Sequence, residues 1–267
     1  MMTLVRPQTF TYAQRGQASL DLDLYHPGGG PAPLVLFGYG GGFTKGSKDA
    51  NVHQPLAQRL CAAGFAVALP DYRLKTSPEH VDPETFAQIT RIANRVERLG
   101  WGVKRKLFDV RLYTACEDLS DALKFCRAHS DQMQIAGSKI GMMGISAGGL
   151  AGNTLCYAPR LWRNRFDSPD VMVSLCAPVV HPWRIREKGV PTYVLHGRKD
   201  RIIPVASSAT TAETAQVTGA PITVTMPPDA PHIGIDTYVL SRHSASGQLY
   251  IDDIVDHLRK HMGVRGR

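Results

Sequence analysis

No run of about 18 apolar residues occurs anywhere in this sequence, which excludes a hydrophobic membrane-spanning helix of ordinary length. The opening stretch, Met1–Tyr12, lacks the apolar core of a secretory leader and is interrupted by Arg6 and Pro7. Cysteines are few and odd in number (Cys61, Cys116, Cys126, Cys156 and Cys176), and no C-x-x-C pair exists. That count argues against a disulfide framework, and most of these thiols fall in apolar segments where cysteine acts as a small hydrophobe. A reduced, cytoplasmic protein is the expectation. H-E-x-x-H, clustered carboxylates and paired cysteines are all missing, so no metal and no cofactor are expected. Residues 41–48 read G-x-x-x-x-G-S-K, which inverts the order that cradles a phosphate, and Phe43 breaks any G-x-G-x-x-G register.

Negative charge is also short, with 23 acidic against 31 basic residues and a net charge of +8. Much of the surplus sits in residues 91–111, where seven cations face only Glu97 and Asp109. Two readings stand: a solvated helix face, or a basic patch beside a cleft that favours acidic substrates or partners. Aromatic residues do not interleave with the basic ones, so a nucleic-acid partner is not expected.

What is present is an alternation of strands and helices over 267 residues, enough for one large domain with a mostly parallel sheet covered on both faces. Eight strands are predicted, at 8–13, 19–25, 34–37, 65–69, 139–145, 171–176, 191–196 and 222–226. Helices are predicted at about 51–63, 116–129, from 147, and at 247–262. Residues 76–113 break the rhythm, with helical pieces but no core strand, and read as an insertion within the domain.

The chemistry centres on Gly144-Ile145-Ser146-Ala147-Gly148-Gly149, which follows an apolar strand and opens an apolar helix. A serine on such a turn needs small neighbours to avoid clashes, and its hydroxyl stands at a helix N-terminus that favours developing negative charge. A hydroxyl is a weak nucleophile, so a base and an orienting acid should follow. Asp200 lies in the loop after strand 191–196, and His232 lies beyond strand 222–226, in the order serine, acid, histidine. His196 reads as structural, and Asp229 is too close in sequence to His232 to brace it. The loop Gly38–Phe43, bare of side chains, can expose amides that converge with the amide of Ala147 on a substrate oxyanion.

Together, Gly40-Gly41-Gly42-Phe43 with Gly46, Asp71-Tyr72-Arg73-Leu74, the Ser146 turn, His196-Gly197…Asp200…Pro204 and His232 resemble the bacterial carboxylesterases. The nearest branches are the hormone-sensitive-lipase-like and BD-FAE feruloyl-esterase-like groups. The resemblance implies an α/β-hydrolase fold, a Ser146/Asp200/His232 triad, oxyanion donors at Gly41, Gly42 and Ala147, and Tyr72 and Arg73 supporting the floor of the site. It implies hydrolysis of a small-molecule ester. Acetyl-sugar or feruloyl esters, thioesters, lactones and peptides remain open, as does ligand binding without catalysis.

The sequence departs from the family at Tyr39, where the motif before the glycines carries histidine. Tyr39, Phe43 and His181 are assigned to substrate contact. The 15 or so residues between strands 171–176 and 191–196 leave no room for a cap. The insertion has two readings, a lid with Phe86, Ile89, Ile92, Trp101 and Phe108 to line it, or a surface insertion packed elsewhere. Nothing in the sequence speaks to oligomeric state.

Overall fold

A computed structural model describes residues 6–264, so the first five residues of the opening stretch read above lie outside the described residues. Eight strands form one sheet: β1 (Gln8–Arg15), β2 (Ala18–Tyr25), β3 (Ala32–Gly38), β4 (Ala66–Pro70), β5 (Ile135–Ile145), β6 (Val171–Leu175), β7 (Thr192–Leu195) and β8 (Ile222–Thr225). Their order across the sheet is β1-β2-β4-β3-β5-β6-β7-β8. The opening hairpin is antiparallel, as is the β2–β4 pairing, and every other pairing is parallel.

The central strands are apolar along their length because helices cover both faces. Every residue of β4 (AVALP) and of β6 (VMVSL) is buried. From β3 the chain crosses to β4 on one side and returns to β5 on the other. This reversal opens a crevice at the C-terminal ends of β3 and β5, the usual ligand position in an open α/β sheet.

The covering helices are α1 (Gln54–Ala62), α2 (Pro83–Glu97), α3 (Val110–Ala128), α4 (Ala147–Cys156), α5 (Ala206–Thr218), α6 (Ile235–Ser241) and α7 (Tyr250–Met262). Asp82 caps α2 by accepting from the Thr85 amide at 2.8 Å, with Pro83 at the first helical position. Ile89 and Ile92 of α2 then pack on Val110, Tyr113 and Trp162 in a small satellite core.

Two helices were not legible from apolar spacing, and a third begins early. Asp109 caps α3 at the Arg111 amide, so that helix starts at Val110 rather than at 116. In α5 the hydroxyls of Thr210, Thr211, Thr214 and Thr218 each bond the carbonyl four residues back. These bonds let a polar sequence remain helical without an apolar stripe. Among the described residues no helix is long and apolar enough to cross a membrane, and all five cysteines are free.

Candidate active site

Ser146 joins β5 to α4 with φ 52° and ψ −114°, a conformation that L-residues rarely adopt and that packing must enforce. The glycines around it make that packing sterically possible. A Cβ on Gly148 would lie 2.1 Å from the Gly38 carbonyl oxygen, and one on Gly144 would lie 2.5 Å from the Gly148 carbonyl carbon. The start of α4 therefore seats directly on the end of β3. The Ser146 amide donates to the Leu175 carbonyl at 2.8 Å, which ties the turn to β6.

The loop beyond β8 brings His232 to this serine. Its Nε2 lies 2.9 Å from Ser146 Oγ, and its Nδ1 lies 2.6 Å from Asp200 Oδ2. A ring nitrogen facing a carboxylate carries the proton, which leaves the Nε2 lone pair directed at the serine. Asp200 has no exposed side-chain surface. Its Oδ1 accepts from the amides of Ile202 and Ile203 at 2.8 and 2.9 Å, and its Oδ2 also accepts from His196 Nε2 at 2.9 Å. Burial pushes this carboxyl up, but the bonds from the two histidines and the two amides outweigh it and hold the group well below the usual carboxylate range. The structural role expected of His196 is thus a specific one. Its Nε2 meets both Asp200 and the Ile203 carbonyl, while Ser208 Oγ lies 2.7 Å from its Nδ1.

Across the crevice, the glycine loop is folded tightly on itself. At Gly41 φ is 125°, and a Cβ there would lie 1.9 Å from the Lys45 carbonyl oxygen. The amides of Thr44 and Lys45 both close on the Gly41 carbonyl. The Tyr39 carbonyl, at the root of the loop, accepts from Tyr72 Oη at 2.8 Å and from the Gly148 amide at 3.0 Å. Tyr72 therefore braces the loop, while Arg73 is held by Asp118 and Glu117. Among the described residues, the amides of Gly40, Gly41, Gly42 and Ala147 take no protein acceptor. Ala147 opens α4, where an orphan donor is expected.

A cavity of about 640 Å³ connects these parts and is lined by Gly40–Gly42, Ser146 and His232. Tyr39, Phe43 and His181 do not line it, which corrects their assignment to substrate contact. Tyr39 is 1% exposed and stacks 4.4 Å from Tyr72. Phe43 has φ 59° and sits fully buried against the same tyrosine. His181 is buried between Trp162 and Trp183 with both ring nitrogens unpartnered, and burial pushes it down to about 3.

None of the five apolar residues proposed for a lid reaches the cavity either. Ile89 and Ile92 lie in the satellite core and Phe108 in the main one, while Trp101 Nε1 donates to Thr210 on α5. Instead the segment 76–113 contributes Lys104, Lys106 and Leu107 to the wall. Lys45, His53, Arg201, Ile202 and Ile233 are further lining residues that the motifs did not indicate. For Lys104 and Lys106, the basic surplus of residues 91–111 was the one trace in the sequence.

Cys176, Asp200 and His232 present ligand atoms within 4.8 Å of one another. A metal placed there would have to displace the 2.6 Å bond between His232 and Asp200, and burial pushes the Cys176 thiol up, away from the thiolate that a metal requires. The donor set fits a proton relay better than it fits a coordination site.

Among solved structures the chain is similar to a thermophilic esterase from the Planctomycetes species Thermogutta terrifontis, at 16% identity and TM-score 0.70, over 98% of this chain and 94% of that one. It is equally similar to esterase 2 of that organism phosphorylated by paraoxon, at 17% identity and TM-score 0.70, over 98% and 96%. The butyrate-bound form matches at 16% identity and TM-score 0.69, over 98% and 96%. The fold is that of the α/β-hydrolases. The BD-FAE family model matches residues 20–92, the part of the chain that runs from β2 through the glycine loop and β4 into α2. No curated protein matches the sequence.

Proposed function

We propose that this α/β-hydrolase is a serine esterase that cleaves small to medium carboxylic esters through an acyl-Ser146 intermediate. The observation that carries the reading is one continuous relay, with Ser146 Oγ 2.9 Å from His232 Nε2 and His232 Nδ1 2.6 Å from Asp200. Ser146 Oγ attacks the ester carbonyl carbon while His232 takes its proton, and the carbonyl electron pair moves to the oxygen. The amides of Gly41, Gly42 and Ala147 receive that oxyanion. As the tetrahedral adduct collapses, the alkoxide leaves with the proton held on His232. Water then attacks the acyl carbon, again losing its proton to His232, and Ser146 is regenerated as the acid departs. Asp200, held ionised by its four bonds, stabilises the imidazolium in both halves.

Support comes from similar proteins: Thermogutta terrifontis esterase 2 is described as phosphorylated by paraoxon and, in another form, bound to butyrate. A cavity of about 640 Å³ accommodates an acyl chain and a modest alcohol. Five unbonded thiols fit a reducing compartment.

Hydrolysis of p-nitrophenyl esters from acetate to decanoate, with wild type beside Ser146→Ala, tests the proposal. Turnover that falls to background in the variant supports it. A wild type inactive on every ester, or a fully active variant, rejects it.

A further inference from the structure

Four cations line the mouth of the catalytic cavity: Lys45 from the glycine loop, Lys104 and Lys106 ahead of α3, and Arg201 beside Asp200. They come from three separate segments of the chain and are all exposed. Among the described residues none has a carboxylate partner. Their immediate neighbours behave differently. In the same loop as Lys45, Lys48 is paired with Asp23 and Asp49. Arg105, between the two cavity lysines, pairs with Glu97 and lines no part of the cavity. Lys48 and Arg105 thus find acids, whereas Lys45, Lys104, Lys106 and Arg201 do not and line the cavity that holds Ser146. Against four positive groups the cavity wall holds one acid, Asp236, which is 7% exposed. Apolar side chains lie among the cations, with Val52 53%, Ile202 47% and Ile233 81% exposed.

Like charges gathered at one rim repel each other, and a cleft with apolar walls focuses their field outward. An anion that enters relieves the repulsion. Resting on the esterase reading, we propose that the substrate is an anionic ester: a small acyl or aryl ester that carries a free carboxylate, or a similarly charged group, several bonds from the scissile carbonyl. The apolar wall takes the carbon chain, and Lys104, Lys106 and Arg201 take the charge. This gives the basic surplus of residues 91–111 a role in selection as well as in solvation.

Two matched pairs test it: 4-nitrophenyl hydrogen adipate against 4-nitrophenyl methyl adipate, and 3-butanoyloxybenzoate against its methyl ester. The first pair places the charge on the acyl side and the second on the leaving group. In at least one pair, kcat/KM for the free carboxylate should exceed that of the capped ester by about tenfold at low salt, equivalent to about 1.4 kcal/mol. The ratio should shrink to roughly threefold or less as ionic strength rises to about 0.5 M. It should fall to about one in the triple variant Lys104→Gln/Lys106→Gln/Arg201→Gln, and hold in Lys188→Gln, whose charge lies in a different pocket.

Equal turnover within both pairs, or a preference indifferent to salt and to the triple variant, overturns the inference while leaving the esterase intact. If no ester is cleaved, the esterase reading fails. Titration of 3-butanoyloxybenzoate and its methyl ester onto Ser146→Ala then decides: saturable binding of the carboxylate alone supports the anionic site, and equal or absent binding overturns it.

Discussion

Replacing Asp200 with Asn keeps the shape of the side chain and removes its charge, and the bonds around it determine the outcome. Each carboxylate oxygen accepts two donors, the Ile202 and Ile203 amides on Oδ1 and the two histidines on Oδ2. An Asn must turn its NH₂ toward one of these pairs. Facing the amides, it sets its own N–H groups against two backbone donors that have no way to adapt, at a total of about 1–3 kcal/mol. Facing the histidines, it asks only that His232 change tautomer, because His196 Nε2 keeps the Ile203 carbonyl at 3.0 Å. The second orientation is therefore favoured. It places the His232 proton on Nε2, against Ser146, where a lone pair is needed.

The expected loss in kcat is about 10³–10⁴, or about 4–5.5 kcal/mol in the barrier, with KM little changed. Urea unfolding followed by tryptophan fluorescence should show a stability cost of about 2–4 kcal/mol from the lost charge-assisted bonds. The pH dependence has a definite sign. The folded carboxyl lies below its unfolded value near 3.9, so its contribution is complete above that pH and is lost as pH falls further. The Asn variant lacks that part of the acid slope. A kcat within tenfold of wild type would refute the reasoning.

Two other perturbations separate packing from chemistry. Gly148→Ala sets a methyl 2.1 Å from the Gly38 carbonyl oxygen, so α4 must retreat from β3 and take Ser146 with it. Activity on p-nitrophenyl butyrate should fall at least 10²-fold, with about 1–3 kcal/mol of destabilisation on urea unfolding. His181→Phe removes a buried imidazole that burial pushes down to about 3 and that takes no part in the cavity. The unfolded chain binds that proton from about pH 6.5 downward and the folded one does not, so wild type should lose stability to this group between about pH 6.5 and 3. The variant should not, and its turnover at pH 7 should stay within about twofold of wild type.

The central strands were legible because strands buried on both faces leave apolar runs, and Ser146, Asp200 and His232 because they follow the ends of strands in that order. His196 was recognised as structural, but its sharing of one carboxylate oxygen with His232 is a three-dimensional fact with no sequence pattern. The position of Tyr39 and Phe43 in the glycine loop does not determine which way their side chains turn. The glycines allow the backbone to fold back, and both rings end up beneath the loop against Tyr72. Of the two readings of the insertion, Ile89 and Ile92 follow the packed one, because they meet Trp162, far along the chain. Helix α5 leaves no amphipathic signature in the sequence, because its threonines satisfy themselves within the helix.

The most direct test of the central claim is covalent. Incubation with a fluorophosphonate, followed by intact-mass measurement and peptide mapping, asks whether Ser146 is an activated nucleophile, whatever the natural ester. The expected result is one adduct per chain, carried by Ser146, absent from Ser146→Ala, much slower to form in His232→Ala, and accompanied by loss of ester turnover. An unlabelled wild type, or an adduct that persists in Ser146→Ala, would contradict it.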